Sequence, residues 1–177
     1  LGHLAFVYSY SMQISRTKGL VMLDEAEEQF VQLAHGLDKR VAGHIAYIRA
    51  ALSFTDMRKA GELMREARAL LQEPVIISSS KLLSTSGSPH LGFLYLRDLG
   101  SYAALTADAK QLWQPYLEIS NGGGVGSPTL LMAEQALETG NFEIARQNAE
   151  LAIEKAGQQE HYPVMIAAGF TLCRLYI

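Results

Sequence analysis

The chain has 177 residues, which is enough for one domain with a continuous hydrophobic core. Hydrophobic residues make up 49% and charged residues 19%, and this balance excludes a disordered segment. The formal net charge is −3 and the lysines and arginines are scattered, which argues against direct contact with nucleic acid. The longest nearly unbroken apolar run, residues 164–173, is far shorter than the roughly 20 residues of a transmembrane helix, so we expect no contact with a membrane.

Apolar residues recur with a helical period along most of the chain, so the sequence predicts an all-α fold. Residues 73–88 lack this period, and we expect at most an extended stretch at Val75–Ile77, with no β-sheet. Pro115 falls inside a predicted helix, which we expect to kink or to end one turn early. The predicted helices cover residues 3–17, 22–35, 39–54, 57–72, 89–98, 102–119, 128–139, 142–156 and 162–176.

Four of these helices share apolar or small residues at positions i, i+4 and i+7. The sets are Ala26, Phe30, Leu33; Ala60, Met64, Ala67; Leu105, Ala109, Leu112; and Ala145, Ala149, Ala152. The first two sets are 34 residues apart, which is the tetratricopeptide period. A long apolar or aromatic residue precedes each set by three positions and would fill the base of a helix pair: Leu23, Met57, Tyr102 and Phe142. We expect one domain, residues 1–177, of tetratricopeptide-like antiparallel helix pairs stacked in a right-handed superhelix; a generic helical bundle is the alternative.

The stretch 121–127 is rich in glycine and precedes a helix. Free backbone N–H groups there could hold an anion, but neither a phosphate-binding lysine motif nor a dinucleotide fingerprint is present. A long turn between repeats, closed by Ser127 as the helix N-cap, is favoured. Gly87-Ser88-Pro89 resembles Gly126-Ser127-Pro128 and predicts the same serine cap with proline at the first helical position.

The residues that usually carry catalysis or bind metals form no recognisable motif. The five histidines are far apart and have no partner cysteines, so we expect no metal site and no cofactor. Glu134 and Glu138 lie one helical turn apart, and a solvated or groove-lining face is favoured over acid–base catalysis. Cys173 is the single cysteine and has apolar neighbours, which predicts a buried thiol in a reducing cytoplasm. We therefore expect no enzymatic activity.

The third repeat, made of the predicted helices 89–98 and 102–119, is the strongest candidate for a binding surface. It holds aromatic residues and an arginine close to both irregular stretches, and such side chains suit stacking on a ring-shaped ligand or anchoring of a partner protein. Ordinary packing within a helix pair is the alternative for the same side chains. The predicted binding residues are Tyr95, Arg97, Trp113, Tyr116, Gly122, Gly124 and Glu134.

The order of several motifs resembles the helical-repeat region of large LuxR-type, maltose-regulator-like transcriptional activators. The resembling residues are Gly61-Glu62-Leu63-Met64, Gly87-Ser88-Pro89, Tyr95, Arg97, Gly100, Pro115-Tyr116, Asn121-Gly122, Gly124, Gly126, Ala133-Glu134, Gly140-Asn141-Phe142-Glu143-Ile144-Ala145, Cys173 and Arg174. Residues 1–55 resemble the family only loosely.

Such activators join an N-terminal nucleotide-binding switch, a helical-repeat sensor and a C-terminal helix-turn-helix, and this chain resembles the middle part. The resemblance implies a cytoplasmic sensor that binds a small-molecule inducer, such as a sugar, or a regulatory protein, and that contacts other domains of its own chain. The sequence starts at Leu1 and its helical pattern reaches Ile177 without a cap, so we expect a piece of a longer protein.

Two functions remain open. The first is the ligand-sensing segment of a LuxR-type transcriptional regulator. The second is a generic tetratricopeptide scaffold for protein–protein interaction, unrelated to transcription. A Walker motif upstream and a helix-turn-helix downstream in the full reading frame would favour the first.

Overall fold

The computed structural model describes residues 2–34, 38–53, 56–75, 90, 92–93 and 102–177. These residues form eight α-helices and no strand, which confirms the all-α prediction for this part of the chain. The helices are α1 (Gly2–Gln13), α2 (Arg16–Ala34), α3 (Lys39–Leu52), α4 (Met57–Leu70), α5 (Tyr102–Ile119), α6 (Ser127–Glu138), α7 (Phe142–Gly157) and α8 (Tyr162–Arg174). Most of the predicted helix 89–98 lies outside the described residues.

The break between the first two helices lies earlier than predicted. α1 ends at Gln13 and α2 begins at Arg16, whereas the sequence pattern placed the break at residues 18–21. The hydroxyl oxygen of Ser15 accepts a hydrogen bond from the backbone N–H of Lys18 at 3.4 Å, which is the geometry of a helix N-cap. Gly19 lies inside α2 because the two helices are in close contact there: a Cβ atom on Gly19 would collide with Ser11.

The helix that contains Pro115 does not end early. α5 runs from Tyr102 to Ile119 through the proline, which is the predicted range, so of the two effects expected of Pro115 the early end does not occur. The side chains of Trp113, Tyr116 and Ile119 are buried on either side of Pro115. Their packing offsets the backbone hydrogen bond that a proline cannot donate.

Helices that follow one another along the described chain pack together. The closest packing joins α3 to α4, α4 to α5, α6 to α7 and α7 to α8. One main core runs through these helices, and a small second cluster forms where Ala136 and Leu137 of α6 meet Ala145 of α7. At the other end of this pair, a Cβ atom on Gly126 would lie 2.9 Å from the carbonyl oxygen of Ala152. The start of α6 therefore lies beside the end of α7, and the two helices run in opposite directions.

The small-residue sets of α4, α5 and α7 lie in the core, as the sequence pattern predicts. The buried members are Ala60, Met64, Ala67, Leu105, Ala109, Leu112, Ala145, Ala149 and Ala152. Of the residues expected to fill the base of a helix pair, Leu23 and Met57 are buried and Tyr102 is half-buried. Phe142 is 61% exposed, so the prediction is wrong there. It is the first residue of α7 and follows the turn at the edge of the pair.

Two further predictions concern burial and extended structure. Cys173 is exposed, so the buried thiol is wrong: α8 buries the face that carries Val164, Ala168 and Thr171, and Cys173 lies off that face. Val75 belongs to no strand, in line with the expectation of no β-sheet; its N–H donates to the Ile119 carbonyl at 2.6 Å and ties the chain after α4 to the end of α5. Ile76 and Ile77, the rest of the stretch expected to be extended, lie outside the described residues. Across the helices described, none has the length and apolar character needed to cross a membrane.

Candidate functional site

Trp113 and Tyr116, two of the predicted binding residues, lie in the hydrophobic core. Their exposed fractions are 5% and 8%, and their rings pack edge to face with centroids 5.5 Å apart. The Tyr116 ring is also nearly parallel to that of Tyr47 in α3, with centroids 6.4 Å apart. These contacts are those of the packing alternative, and they leave a ligand little surface on either ring. Tyr95 and Arg97 lie outside the described residues, so their role stays a prediction.

The glycine-rich loop, residues 121–126, uses its backbone N–H groups within the protein. Four backbone N–H groups donate to nearby carbonyl oxygens at 2.9–3.3 Å: those of Gly122, Gly123, Val125 and Ser127. The N–H of Gly124 donates instead to Nε2 of His161, 3.0 Å away. The anion-binding alternative therefore lacks most of the free donors that it requires, and the segment is a turn between α5 and α6.

The end of this loop corrects the predicted helix cap. The N-cap of α6 is Gly126, whose φ of 89° lies in the left-handed region, and no side chain caps the helix. Ser127 is already the first helical residue, so its predicted capping role is wrong. Pro128 lies in the first turn, as predicted. Ser88, the other predicted cap, lies outside the described residues.

The glycine-rich loop lies directly on the buried aromatic pair. A Cβ atom on Gly124 would be 2.9 Å from Cζ3 of Trp113 and 3.0 Å from Cε1 of Tyr116. One on Gly123 would be 3.3 Å from the Tyr116 hydroxyl. Only glycine, which has no side chain, allows this approach at positions 123 and 124. A Cβ atom on Gly122 would instead lie in open space. The loop is thus a cover over the two aromatic residues.

Glu134 is completely buried, so its predicted place on a solvated or groove-lining face is wrong. Its Oε2 accepts a hydrogen bond from the backbone N–H of Gly92 at 2.6 Å. The same oxygen lies 3.3 Å from Nδ1 of His90, which is 1% exposed. Charge-assisted hydrogen bonds of this length are strong, so Glu134 fixes His90 and Gly92 against α6.

Glu138 extends the cluster to the last helix. Its Oε1 lies 3.3 Å from Nε2 of His90 and 2.7 Å from Nη2 of Arg174 in α8. The His90 ring also stacks on Phe93, with centroids 3.8 Å apart. We call these residues, His90, Gly92, Glu134, Glu138 and Arg174, the His90 cluster. It joins the segment before α5 to α6 and α8.

Burial controls protonation in the His90 cluster. Desolvation lowers the pKa of His90 from its ordinary value, and the Glu138 carboxylate opposes only part of this effect. Desolvation, followed by the charge of Glu134, raises the pKa of the neighbouring Tyr102 hydroxyl. A His–Glu pair can exchange a proton, but solvent reaches neither His90 nor Glu134. What the arrangement does is hold the chain just before Tyr95 and Arg97.

Sequence reasoning missed His90, Arg174 and His161. Their partners are distant along the chain: 37 residues separate Gly124 from His161, and 42 separate Gly92 from Glu134. The spacing of Glu134 and Glu138 is the only local signal of the cluster, since it places two carboxylates on one helical face. Among the described side chains, no group of His, Cys, Asp and Glu is arranged to hold a metal ion.

Two surface grooves lie away from the predicted residues. One, of about 560 Å³, is lined by Asp24, Glu27, Glu28, Val31, Gln32 and Arg49. The guanidinium of Arg49 lies 2.5 Å from Asp24 and 2.6 Å from Glu27, so its charge offsets one of the three carboxylate charges of the groove. The other, of about 280 Å³, lies between the start of α3 and the end of α4 beside Arg40 and Leu71. Neither groove includes a residue of the predicted binding surface.

Comparison with known proteins finds no match for this chain among protein-family models, curated proteins or solved structures.

Proposed function

We propose that the chain is a binding module: tetratricopeptide-like antiparallel helix pairs, stacked in a right-handed superhelix, that form the sensor segment of a cytoplasmic LuxR-type transcriptional regulator. One observation carries the proposal. The repeated small residues Ala60, Ala67, Ala145 and Ala152 are each at most 1% exposed where neighbouring helices meet. Small residues at such contacts let helix pairs stack closely, and stacked pairs present an extended surface for binding.

The contacts around the third repeat support a binding surface there. The His90 cluster fixes Gly92, which lies three positions before Tyr95 along the chain, through its hydrogen bond to Glu134. A buried carboxylate costs free energy unless it is paired. That Glu134 is buried to bind Gly92 therefore supports a functional role for the position of this segment. The glycine-rich loop covers Trp113 and Tyr116 without a side chain of its own at the contact. A ligand that displaces the loop would gain both rings.

A small-molecule screen tests the sensor proposal. The purified chain is heated with a panel of neutral monosaccharides, oligosaccharides and sugar phosphates, and unfolding is followed by a thermal-shift dye. We expect at least one compound to raise the Tm in a concentration-dependent way, because a ligand that binds only the folded state stabilises it by mass action. If no compound of the panel shifts the Tm, the small-inducer form of the proposal fails.

A second candidate function is protein–protein interaction through α8. Tyr162, Ile166 and Phe170 are 61%, 70% and 41% exposed and follow one another at intervals of four residues on one helical face. A row of large apolar side chains exposed to water favours a partner surface. The flanking reading frame separates this scaffold from the sensor: a Walker motif upstream and a helix-turn-helix downstream support the sensor, and their absence supports the scaffold.

A further inference from the structure

We infer that His161 is a proton-sensitive latch that holds the glycine-rich loop over Trp113 and Tyr116. His161 immediately precedes α8 and is 1% exposed. Its Nε2 accepts the hydrogen bond from the backbone N–H of Gly124 at 3.0 Å. A backbone N–H can only donate, so Nε2 holds a lone pair in this arrangement. The imidazolium form, in which both ring nitrogens carry protons, is incompatible with the bond.

Protonation therefore converts the acceptor into a second donor. Two N–H groups would then face each other across a buried contact, and a positive charge would stand where solvent is excluded. Both effects disfavour the closed arrangement. The latch is closed when His161 is neutral and opens when the imidazole is protonated on lowering the pH.

The Gly124 bond is the one that reaches from the middle of the loop to α8. Gly122 and Gly123 bond back to the end of α5, and Val125 bonds within the loop. On the other side, the backbone N–H of His161 is held by the Ala156 carbonyl at 2.8 Å, which fixes the histidine to the end of α7. Loss of the side-chain bond releases the middle of the loop and leaves both of its ends attached.

Several titratable groups lie on the elements that meet at His161. α5 contributes Tyr116, α7 contributes Lys155, the turn before His161 contributes Glu160, and α8 contributes Tyr162. Lys155 Nζ is hydrogen-bonded to the Thr129 hydroxyl at 3.1 Å. The loop itself, Asn121-Gly122-Gly123-Gly124-Val125-Gly126, has no titratable side chain. Of these groups, the adjacent Glu160 carboxylate favours the protonated histidine and acts in the direction of opening.

Two other buried histidines do not share this property. Nδ1 of His44 lies 2.7 Å from the Arg40 carbonyl oxygen, an acceptor, so it donates and the bond survives protonation. His90 lies between the carboxylates of Glu134 and Glu138, and a protonated His90 would bind both carboxylates more strongly. Among the histidines of the described residues, His161 is the one whose ring accepts a backbone N–H.

Tryptophan fluorescence reads the latch directly, because Trp113 is the only tryptophan in the chain. Emission, acrylamide quenching and far-UV circular dichroism are followed on the whole chain from pH 8 to pH 5. We expect the emission of the unmodified protein to move to longer wavelength and its quenching to rise several-fold, while the helical signal stays constant. In His161→Gln the amide oxygen can accept from Gly124 but cannot be protonated in this range, so the transition is lost. His44→Gln is the matched control and keeps the transition.

Three results would overturn the latch: no change in Trp113 emission, the same transition in His161→Gln, or loss of the helical signal at the same midpoint. If His161→Gln does not fold, amide hydrogen exchange of Gly124 in the unmodified protein decides. The latch predicts a Gly124 protection factor that falls several-fold between pH 7 and pH 5.5, whereas a constant protection factor contradicts it. The inference is independent of the sensor proposal, although opening would expose two residues of its predicted site.

Discussion

At the scale of single residues, the buried carboxylate of Glu134 holds Gly92 in place. It accepts the N–H of Gly92 at 2.6 Å and is inaccessible to solvent. Without an acceptor, a buried backbone N–H costs about 1–3 kcal/mol. We expect Glu134→Ala to lower the free energy of unfolding by at least this amount, measured by urea denaturation. Glu62→Ala, on the exposed face of α4, is the control and should change it little. Equal effects of the two changes would show that the Glu134 contact carries no stability.

The two turn glycines Gly126 and Gly140 separate backbone strain from steric collision. Both have positive φ, 89° and 77°, which a residue with a Cβ adopts at a cost of roughly 1–2 kcal/mol. A Cβ atom on Gly126 would also lie 2.9 Å from the Ala152 carbonyl oxygen, whereas one on Gly140 meets nothing within 4 Å. We expect Gly126→Ala to lower the Tm clearly more than Gly140→Ala in a calorimetric scan. A larger loss for Gly140→Ala would contradict the close approach of α6 and α7.

Residue-scale prediction from the sequence works where a local pattern decides. The size of Ala145 and the turn at Gly126 are local and were predicted. The burial of Glu134 was not, because the segment that it holds is 42 residues away in sequence. The role of His161 was not predicted for the same reason. For Trp113 and Tyr116 the sequence allows both a binding role and core packing, and only the folded structure distinguishes the two.

At the scale of elements, the hydrophobic period predicts the helices of the described residues, and tertiary contacts explain where the observed helices depart from what local residue preferences favour. α5 keeps its predicted range, 102–119, and does not end early at Pro115, because the aromatic packing around the proline outweighs a missing hydrogen bond. The break before α2 was misplaced because Gly19, which weakens a helix by itself, is needed there for the approach of α1. In both cases a tertiary contact overrides a local preference.

Ala145 gives the element-scale prediction. It is fully buried against Ala136 and Leu137 of α6, so a larger side chain would force the two helices apart. We expect Ala145→Leu to cost about 1–3 kcal/mol in the free energy of unfolding.

Glu150→Ala is the control on the same helix. It removes an exposed ion pair with Arg146, at 2.9 Å, and should change the free energy of unfolding little, because solvent screens the pair. Chemical denaturation of both variants compares them, and equal small losses would mean that α6 and α7 do not meet through Ala145.

At the scale of the whole molecule, composition and periodicity were enough for the all-α class of the described residues. The sequence could not show how the third repeat is organised, because that depends on the His90 cluster and on the cover formed by the glycine-rich loop. Both arise from residues that are ordinary in their local context and meet only in the folded chain. The repeated superhelix and the sensor role remain proposals that rest on the buried alanine contacts and on the fixed segment before Tyr95 and Arg97.

The central claim is that the chain binds through the third repeat. Isothermal titration calorimetry tests it most directly, with a sugar or sugar phosphate identified by the thermal-shift screen as the ligand. The variants are Arg97→Ala in the predicted site, Arg58→Ala as a matched control with a 71% exposed side chain, and Ile166→Ala on the apolar face of α8. We predict that Arg97→Ala weakens binding about ten- to thirtyfold, the equivalent of a lost contact of roughly 1–2 kcal/mol. Arg58→Ala and Ile166→Ala should bind as the unmodified protein does. Full affinity in a folded Arg97→Ala variant, or a loss confined to Ile166→Ala, would contradict the account.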